Sequence, residues 1–556
     1  MHRFRVLFFV ASAMTAAIAT AASVAGAQAA SNAPAARENP LLEPSSLFFH
    51  APPFDRIRDS DYQPAIERGM REQLAEMKHI ADQTAAPTFE NTIVPMERSG
   101  ALLTRASKIF FGITTANTDD TLQKIQSVEA PKLAAHGDAI YLNAKLFARV
   151  KSLYDRRATL GLDSVQQFLV RRYYLNFVRS GAQLSEADKT KLRALNAEES
   201  TLSTQFQMKL LAATKAGALV IDDRAQLAGL GDADLAAAAE AAKGRGLTGK
   251  WVLPLQNTTQ QPAQASLSDR AVRQRLFEAS TQRAEHGGAN DTRAVIARLA
   301  QLRAQRAKLL GYPTYAAYSL DDQMAKTPEQ AIKLLSDLVP PATDKARAEA
   351  AEMQALVDKQ NGGFKLAPWD WQYYAEQVRK AEYDLDESQL QPYFELDNVL
   401  KNGVFFAANK LYGVTFKERT DIPVWQKDVR VFEVFDADGS PLALWYCDYF
   451  KRDNKSGGAW EDTWVDQSGL LGTHTVTYNV ANFTKPAPGQ PALLTFDDVT
   501  TMFHEFGHAL HAMFSNVRYP TLAGTNVPRD FVEFPSQFNE HWALASTVFA
   551  HYARQY

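Results

Sequence analysis

A single cysteine, Cys447, occurs among 556 residues. No intrachain disulfide can form, so stability must come from packing. Cysteine-based metal clusters are excluded as well, which leaves imidazoles and carboxylates as the side chains able to hold a metal. Histidine is itself scarce, at 11. Excess charge is also missing: 60 Lys plus Arg stand against 63 Asp plus Glu, a net charge of -3, with no basic cluster beyond short runs such as Val170-Arg171-Arg172. A nucleic-acid partner held by a basic face is thereby excluded. No run after the N-terminus is apolar and long enough to span a bilayer, and no internal repeat recurs at a fixed period.

What is present begins with a secretory pattern. Arg3 and Arg5 precede an apolar run from Val6 to about Ala19, and Ala25-Gly26-Ala27 or Ala27-Gln28-Ala29 fits an A-x-A cleavage site. The expectation is a signal peptide over 1–27, export to the bacterial periplasm, and no stable membrane association after cleavage. An uncleaved anchor is the alternative, but the apolar core is shorter than the ~20 residues that a span requires. Adjacent arginines are missing and no cysteine lies near the cleavage region, so neither a twin-arginine signal nor a lipid anchor is indicated.

Length and a 46% hydrophobic content allow a large buried core. Ala30 to about Pro53, rich in Pro, Ala and Ser, reads as an extended arm. Beyond it, Tyr62 to Gln83, Asp120 to Lys151, Ser185 to Leu211 and Arg270 to Leu310 carry apolar residues at helical spacing, so the chain reads as mostly α-helical. The helix over Leu230 to Ala242 stops at Gly244 and Gly246, and Lys250 to Leu255 reads as a strand. This shift is the candidate boundary between an N-terminal helical region (28–245) and a catalytic region (246–556). Val429 to Phe435 and Thr475 to Phe483 are further strand-like segments.

Residues 495 to 514 carry the chemistry. Thr495 can cap a helix with Asp498 three residues on, and Val499, Phe503, Phe506, Leu510 and Phe514 would bury one side of it. His504 and His508 then project from one face and can reach one ion, with Glu505 placed to take a proton from water at an open coordination position. The alternative is a pair of surface histidines beside a solvated glutamate.

A catalytic zinc needs three protein ligands. His511 and Phe514 stand where a metzincin would have glycine and histidine, so that class fails. Glu533 is the better third ligand, on a second helix with Pro528 near its first turn. Glu540 is the rival, Asp530 could orient a ligand histidine, and His511 reads as packing or as a supporting group.

Phe503 to Phe514 together with Leu522 to Gln537 closely resembles the thimet oligopeptidase family of zinc metallopeptidases, and its bacterial peptidyl-dipeptidase Dcp branch most of all. Asn39-Pro40-Leu41-Leu42, Thr88-Phe89-Glu90-Asn91-Thr92, Leu310 to Tyr315 and Tyr478 to Phe483 extend the likeness over nearly all of the mature chain. The resemblance implies a large, mostly helical ellipsoid with two lobes flanking a deep channel, few small strands, and one zinc per chain on the channel floor. It also implies zinc ligands at His504, His508 and Glu533 and the base at Glu505. The expected activity is release of C-terminal dipeptides from oligopeptides by a monomer. An endo-acting oligopeptidase, or a truncated peptide-binding protein without turnover, is the alternative.

Members of the family continue well past the equivalent of Tyr556, with tyrosines and a histidine that bind substrate and steady the oxyanion, so the chain reads as a fragment or a truncated product. The substrate is expected to lie along Thr475 to Phe483 as an added strand, with Val476, Tyr478 and Val480 facing the core and Thr477 and Asn479 facing outward.

Overall fold

The structure, a computed structural model, describes residues 37–256, 261–384 and 387–556. The expected signal over 1–27 lies outside the described residues. Residues Asn39–Tyr556 form one unit, and the expected change at 245/246 falls inside it, between the helix Asp232–Gly244 and the strand Trp251–Leu253.

Helix dominates, and its ends follow side-chain chemistry. The long periodic stretch from Asp120 is two helices, Asp120–Tyr141 and Ala144–Arg156, because Asn143 accepts from the Leu146 amide (3.0 Å) and caps a new start. Likewise Arg270–Thr281 and Arg293–Leu309 are separate, divided by a loop in which Gly287 and Gly288 both take left-handed φ. The expected extended arm is docked from Asn39 onward: Arg105 donates to the Leu41 and Leu42 carbonyls, and Leu41 is buried.

Seven strands are seen among the described residues: β1 (Leu219–Ile221), β2 (Trp251–Leu253), β3 (Thr415–Glu418), β4 (Arg430–Phe435), β5 (Pro441–Phe450), β6 (Trp460–Val465) and β7 (Thr475–Phe483). The first two pair with each other, and the rest form a sheet in the order β3-β4-β5-β7-β6. β5 and β7 run parallel and the other neighbours antiparallel.

This order overturns the expected role of β7. It is an interior strand, buried at all nine positions, with β5 on one side and β6 on the other, so no substrate can join it. Val476, Tyr478 and Val480 pack with Ile66, Phe110 and Ile113 of the N-terminal helices. Thr477 and Asn479 do not face outward. They point to the helix Phe496–Met513, which carries His504 and His508 and whose Val499, Phe503, Phe506 and Leu510 share a core with Trp445 and Phe483. Phe514 differs from expectation: the helix ends one residue earlier, and Phe514 is 40% exposed.

The sheet meets the helix Ala101–Ala116 with no room to spare. A Cβ on Gly112 would lie 2.2 Å from the Trp464 ring and 2.8 Å from the Tyr478 hydroxyl, and those two rings are stacked 3.9 Å apart. Gly112→Ala is expected to cost about 1–3 kcal/mol through this overpacking, read as a lower denaturation midpoint. An unchanged midpoint would show that the ring pair yields freely.

Candidate metal centre

The motif helix starts as its sequence dictates. The Asp498 amide donates to Thr495 Oγ1 and the Thr495 amide to Asp498 Oδ2, each at 3.1 Å, a reciprocal cap that fixes the phase of every later residue. One helical turn apart, the His504 and His508 rings have centroids separated by 5.0 Å. Their Nε2 atoms lie 3.2 and 3.1 Å from one oxygen, Oε2 of Glu533. These three residues form a group whose ligand atoms all lie within 4.8 Å of one another.

Glu533 arrives by a close crossing of two helices. It opens the helix Glu533–Leu544, and the residue of the motif helix facing that helix is Gly507, where an added Cβ would lie 2.8 Å from Ser536 Cα and 2.8 Å from Asn539 Cβ. No other side chain permits this approach. Asn539 then fastens the crossing by donating to the Phe503 carbonyl (2.6 Å), and Ser536 Oγ donates to Glu533 Oε2 (3.0 Å). The helix starts later than expected: Pro528 sits in the preceding turn, where its carbonyl accepts from the Phe531 and Val532 amides.

The remaining candidates separate cleanly. Glu540 lies on the far side of His504, with Oε1 2.6 Å from Nδ1, so it can orient the imidazole but is not grouped with the three converging atoms. Asp530 does not orient a histidine. It accepts from the Met324 and Ala325 amides at 3.0 and 2.8 Å. His511 stands outside the group, its Nδ1 buried without a hydrogen-bond partner and its proton affinity lowered by burial.

Glu505 is only 7% exposed, and its Oε2 is buried with no partner. Burial, then the charges of Glu461 and Glu533, push its carboxyl up to about 8. Its backbone is tied to the sheet: Asn479 Nδ2 donates to the Glu505 carbonyl (2.8 Å), and the Trp445 indole donates to Asn479 Oδ1 (2.6 Å). Burial also lowers His508, against the pull of Glu533. Glu533 itself is held below the usual carboxylate range although burial opposes it, because the Ser536 hydroxyl and both imidazoles favour its anion. The cluster therefore offers an ionised carboxylate at Glu533 and, at His508, an imidazole whose protonation burial disfavours, the forms in which these groups bind a divalent ion. Another hollow lies elsewhere. A cavity of about 600 Å³ lined by Leu103, Phe111, Gln126 and Thr204, among others, contains no titratable side chain.

Sequence reasoning missed Gly507, and it placed Asn479 facing outward rather than against the motif helix. The glycine inside an otherwise ordinary helix was the available signal, since a helical glycine without a local reason often marks a close approach.

Two substitutions check this geometry. Gly507→Ala is expected to part the helices, lowering both the melting temperature and metal retention measured by dialysis and elemental analysis. Glu540→Gln should leave the fold intact and weaken metal affinity about 10- to 100-fold in a chelator competition. Affinity equal to wild type would remove Glu540 from any supporting role.

Residues 263–556 match peptidase family M3. The chain is 55% identical over 518 residues to the dipeptidyl carboxypeptidase of Escherichia coli (strain K12), covering 93% of this chain and 76% of that protein. It is 53% identical over 516 residues to the protein of the same name in Salmonella typhimurium, with the same coverage. Oligopeptidase A of Escherichia coli is 32% identical over 527 residues, again across 93% and 76%. With the family match spanning more than half of the sequence, and with a relative this similar along almost all of it, the chain that builds this imidazole and carboxylate cluster belongs to peptidase family M3.

Proposed function

We propose that this chain is a zinc peptidase that releases dipeptides from the C-termini of short peptides. The observation that carries the reading is the meeting of His504 Nε2, His508 Nε2 and Glu533 Oε2 beside the unpartnered, buried carboxylate of Glu505. The names of its 55% and 53% identical relatives support the dipeptide product.

The donor set fits zinc. Two imidazoles and one carboxylate are a catalytic ligand set that leaves one position open, and tetrahedral bonds of about 2.0–2.2 Å place ligand atoms about 3.3–3.5 Å apart. The separations of 3.1 and 3.2 Å are close to that spacing. Bound there, zinc supplies a Lewis acid for the scissile carbonyl and for the attacking water. The chain supplies the rest. Glu505 takes the water's proton and returns it to the departing amine, and the dry setting that raises its affinity for a proton strengthens it as a base once it is ionised. Glu540 holds His504 at Nδ1, so that Nε2 faces the metal position. Since β7 is closed on both sides, the strand left to receive an extended peptide is β6, the end strand on the side of the sheet next to β7.

The oligopeptidase A relatives, at lower identity, favour a second reading in which longer peptides are cut without a dipeptide product. An N-blocked octapeptide, followed by mass spectrometry with zinc present, decides between them. Successive loss of two residues from the free end is expected. Internal fragments select the second reading, and binding without any product would sink both. Glu505→Gln should retain zinc and lose about 10²- to 10⁴-fold in rate. Near-normal turnover in that variant would reassign the base.

A further inference from the structure

Among the described residues, no strand lies on the outer side of β6. Its second residue, Glu461, stands directly across from Asn479, whose amide reaches the Glu505 carbonyl, so the Glu461 side chain shares the face turned to the motif helix. Its Oε1 accepts from Thr477 Oγ1 at 2.6 Å and its Oε2 from Thr525 Oγ1 at 3.4 Å. Both partners are neutral hydroxyls. Lys108, the cation that acts on it from a distance, is already engaged by Asp466 (2.9 Å) and Thr463 (2.7 Å). Glu461 thus has no ion pair among the described residues.

A carboxylate on an open sheet edge, bonded only to neutral hydroxyls, is a ready partner for a basic side chain. Burial pushes Glu461 up to about 8, with Asp462 and Asp466 adding to the rise and Lys108 and Thr477 opposing it. A peptide extended along β6 places alternate side chains on the motif-helix face, next to Glu461. A lysine or arginine there would pair with the Glu461 carboxylate.

We propose that Glu461 is a specificity-determining residue that selects a lysine or arginine side chain on the substrate residue adjoining the scissile bond. The inference rests on the reading of the neighbouring cluster as a peptidase centre. It assigns to the end strand a charge preference that the metal ligands and the base do not themselves impose.

The test uses the zinc-loaded full chain and pairs of N-blocked peptides that differ only in lysine against norleucine, placed in turn at the two positions on each side of the cleaved bond. The wild type is expected to favour lysine at one position by about tenfold in kcat/KM, between the strengths of an exposed and a buried ion pair. Glu461→Gln keeps an oxygen acceptor for Thr477 and turns an amide donor to Thr525, and should bring that ratio close to one. Glu461→Asp should restore part of the preference. A ratio that is unchanged in Glu461→Gln, or a wild type that favours norleucine at every position, overturns the proposal. The same peptides titrated into zinc-loaded Glu505→Gln, with and without Glu461→Gln, give the ratio as Kd values in the absence of turnover. Loss of the peptidase reading appears as no product from any wild-type digest, whereas loss of this inference appears as equal Kd values for the lysine and norleucine peptides.

Discussion

The centre depends on one close contact between backbones. Two imidazoles four residues apart can share an ion on any well-formed helix, but the third ligand has to come from another element, and here Gly507 admits that element. With the Ser536 backbone and the Asn539 side chain lying where a Cβ would be, the helix Glu533–Leu544 sits against the motif helix and its first residue reaches both Nε2 atoms. The Asn539 bond to the Phe503 carbonyl and the Ser536 bond to Glu533 act on the same crossing, so position and orientation are set together. Moving the crossing by the width of one methyl group would leave the imidazole pair intact and remove the anion that completes the set.

Behind that crossing, polar groups are buried in pairs that satisfy one another. Asn479 is the clearest case: one end accepts from the Trp445 indole and the other donates to the carbonyl of Glu505. A strand side chain thereby fixes the backbone of the candidate base. Asp448, in the neighbouring strand β5, takes a paired contact from Arg452, a third from Lys455 and a fourth from the Trp425 indole, and Arg452 also donates to the Ala116 carbonyl at the end of an N-terminal helix. Removing one partner from such a set would leave a buried charge unpaired, which costs far more than the net gain of making the pair. The sheet and the N-terminal helices are therefore held to each other by more than apolar contact.

These satisfied polar groups also explain what could and could not be read from the sequence. The motif helix, its Thr495 cap and the convergence of His504 and His508 are local facts, and local periodicity reveals them. The boundaries of β7 were legible for the same reason. Its environment was not, because Thr477 and Asn479 alternate with apolar residues as they would in a strand with one wet face, whereas their partners are a carboxylate of β6, a buried indole and a helix carbonyl. β6 escaped notice because Glu461 and Asp462 interrupt any β-like pattern, and β5 because it opens with a proline. The choice between Glu533 and Glu540 turned on a crossing that no periodicity encodes, and resemblance supplied it. Asp530, which looked like a supporting acid for a histidine, serves the backbone of a distant turn instead.

That last contact bears on why three ligands need so large a scaffold. The segment between the two helices of the centre, from Phe514 to Val532, has little regular structure of its own, only the short turn Pro520–Leu522. It is held from outside. Glu97, buried among the N-terminal helices, accepts from the Tyr173 hydroxyl (2.6 Å) and from the Thr521 amide (3.2 Å). Arg172 donates to the Asn526 carbonyl, Ser468 to the Arg518 carbonyl, and the turn at Gln323 to Ala325 grips Arg529 and Asp530. Each anchor lies far from the metal position in sequence, and together they fix where Glu533 begins its helix. An irregular connection carries a large conformational entropy unless something outside it is rigid. The N-terminal helices and the turn ahead of Pro328–Lys359 provide that rigidity, so the geometry of a centre made from two helices is set by residues spread across most of the chain.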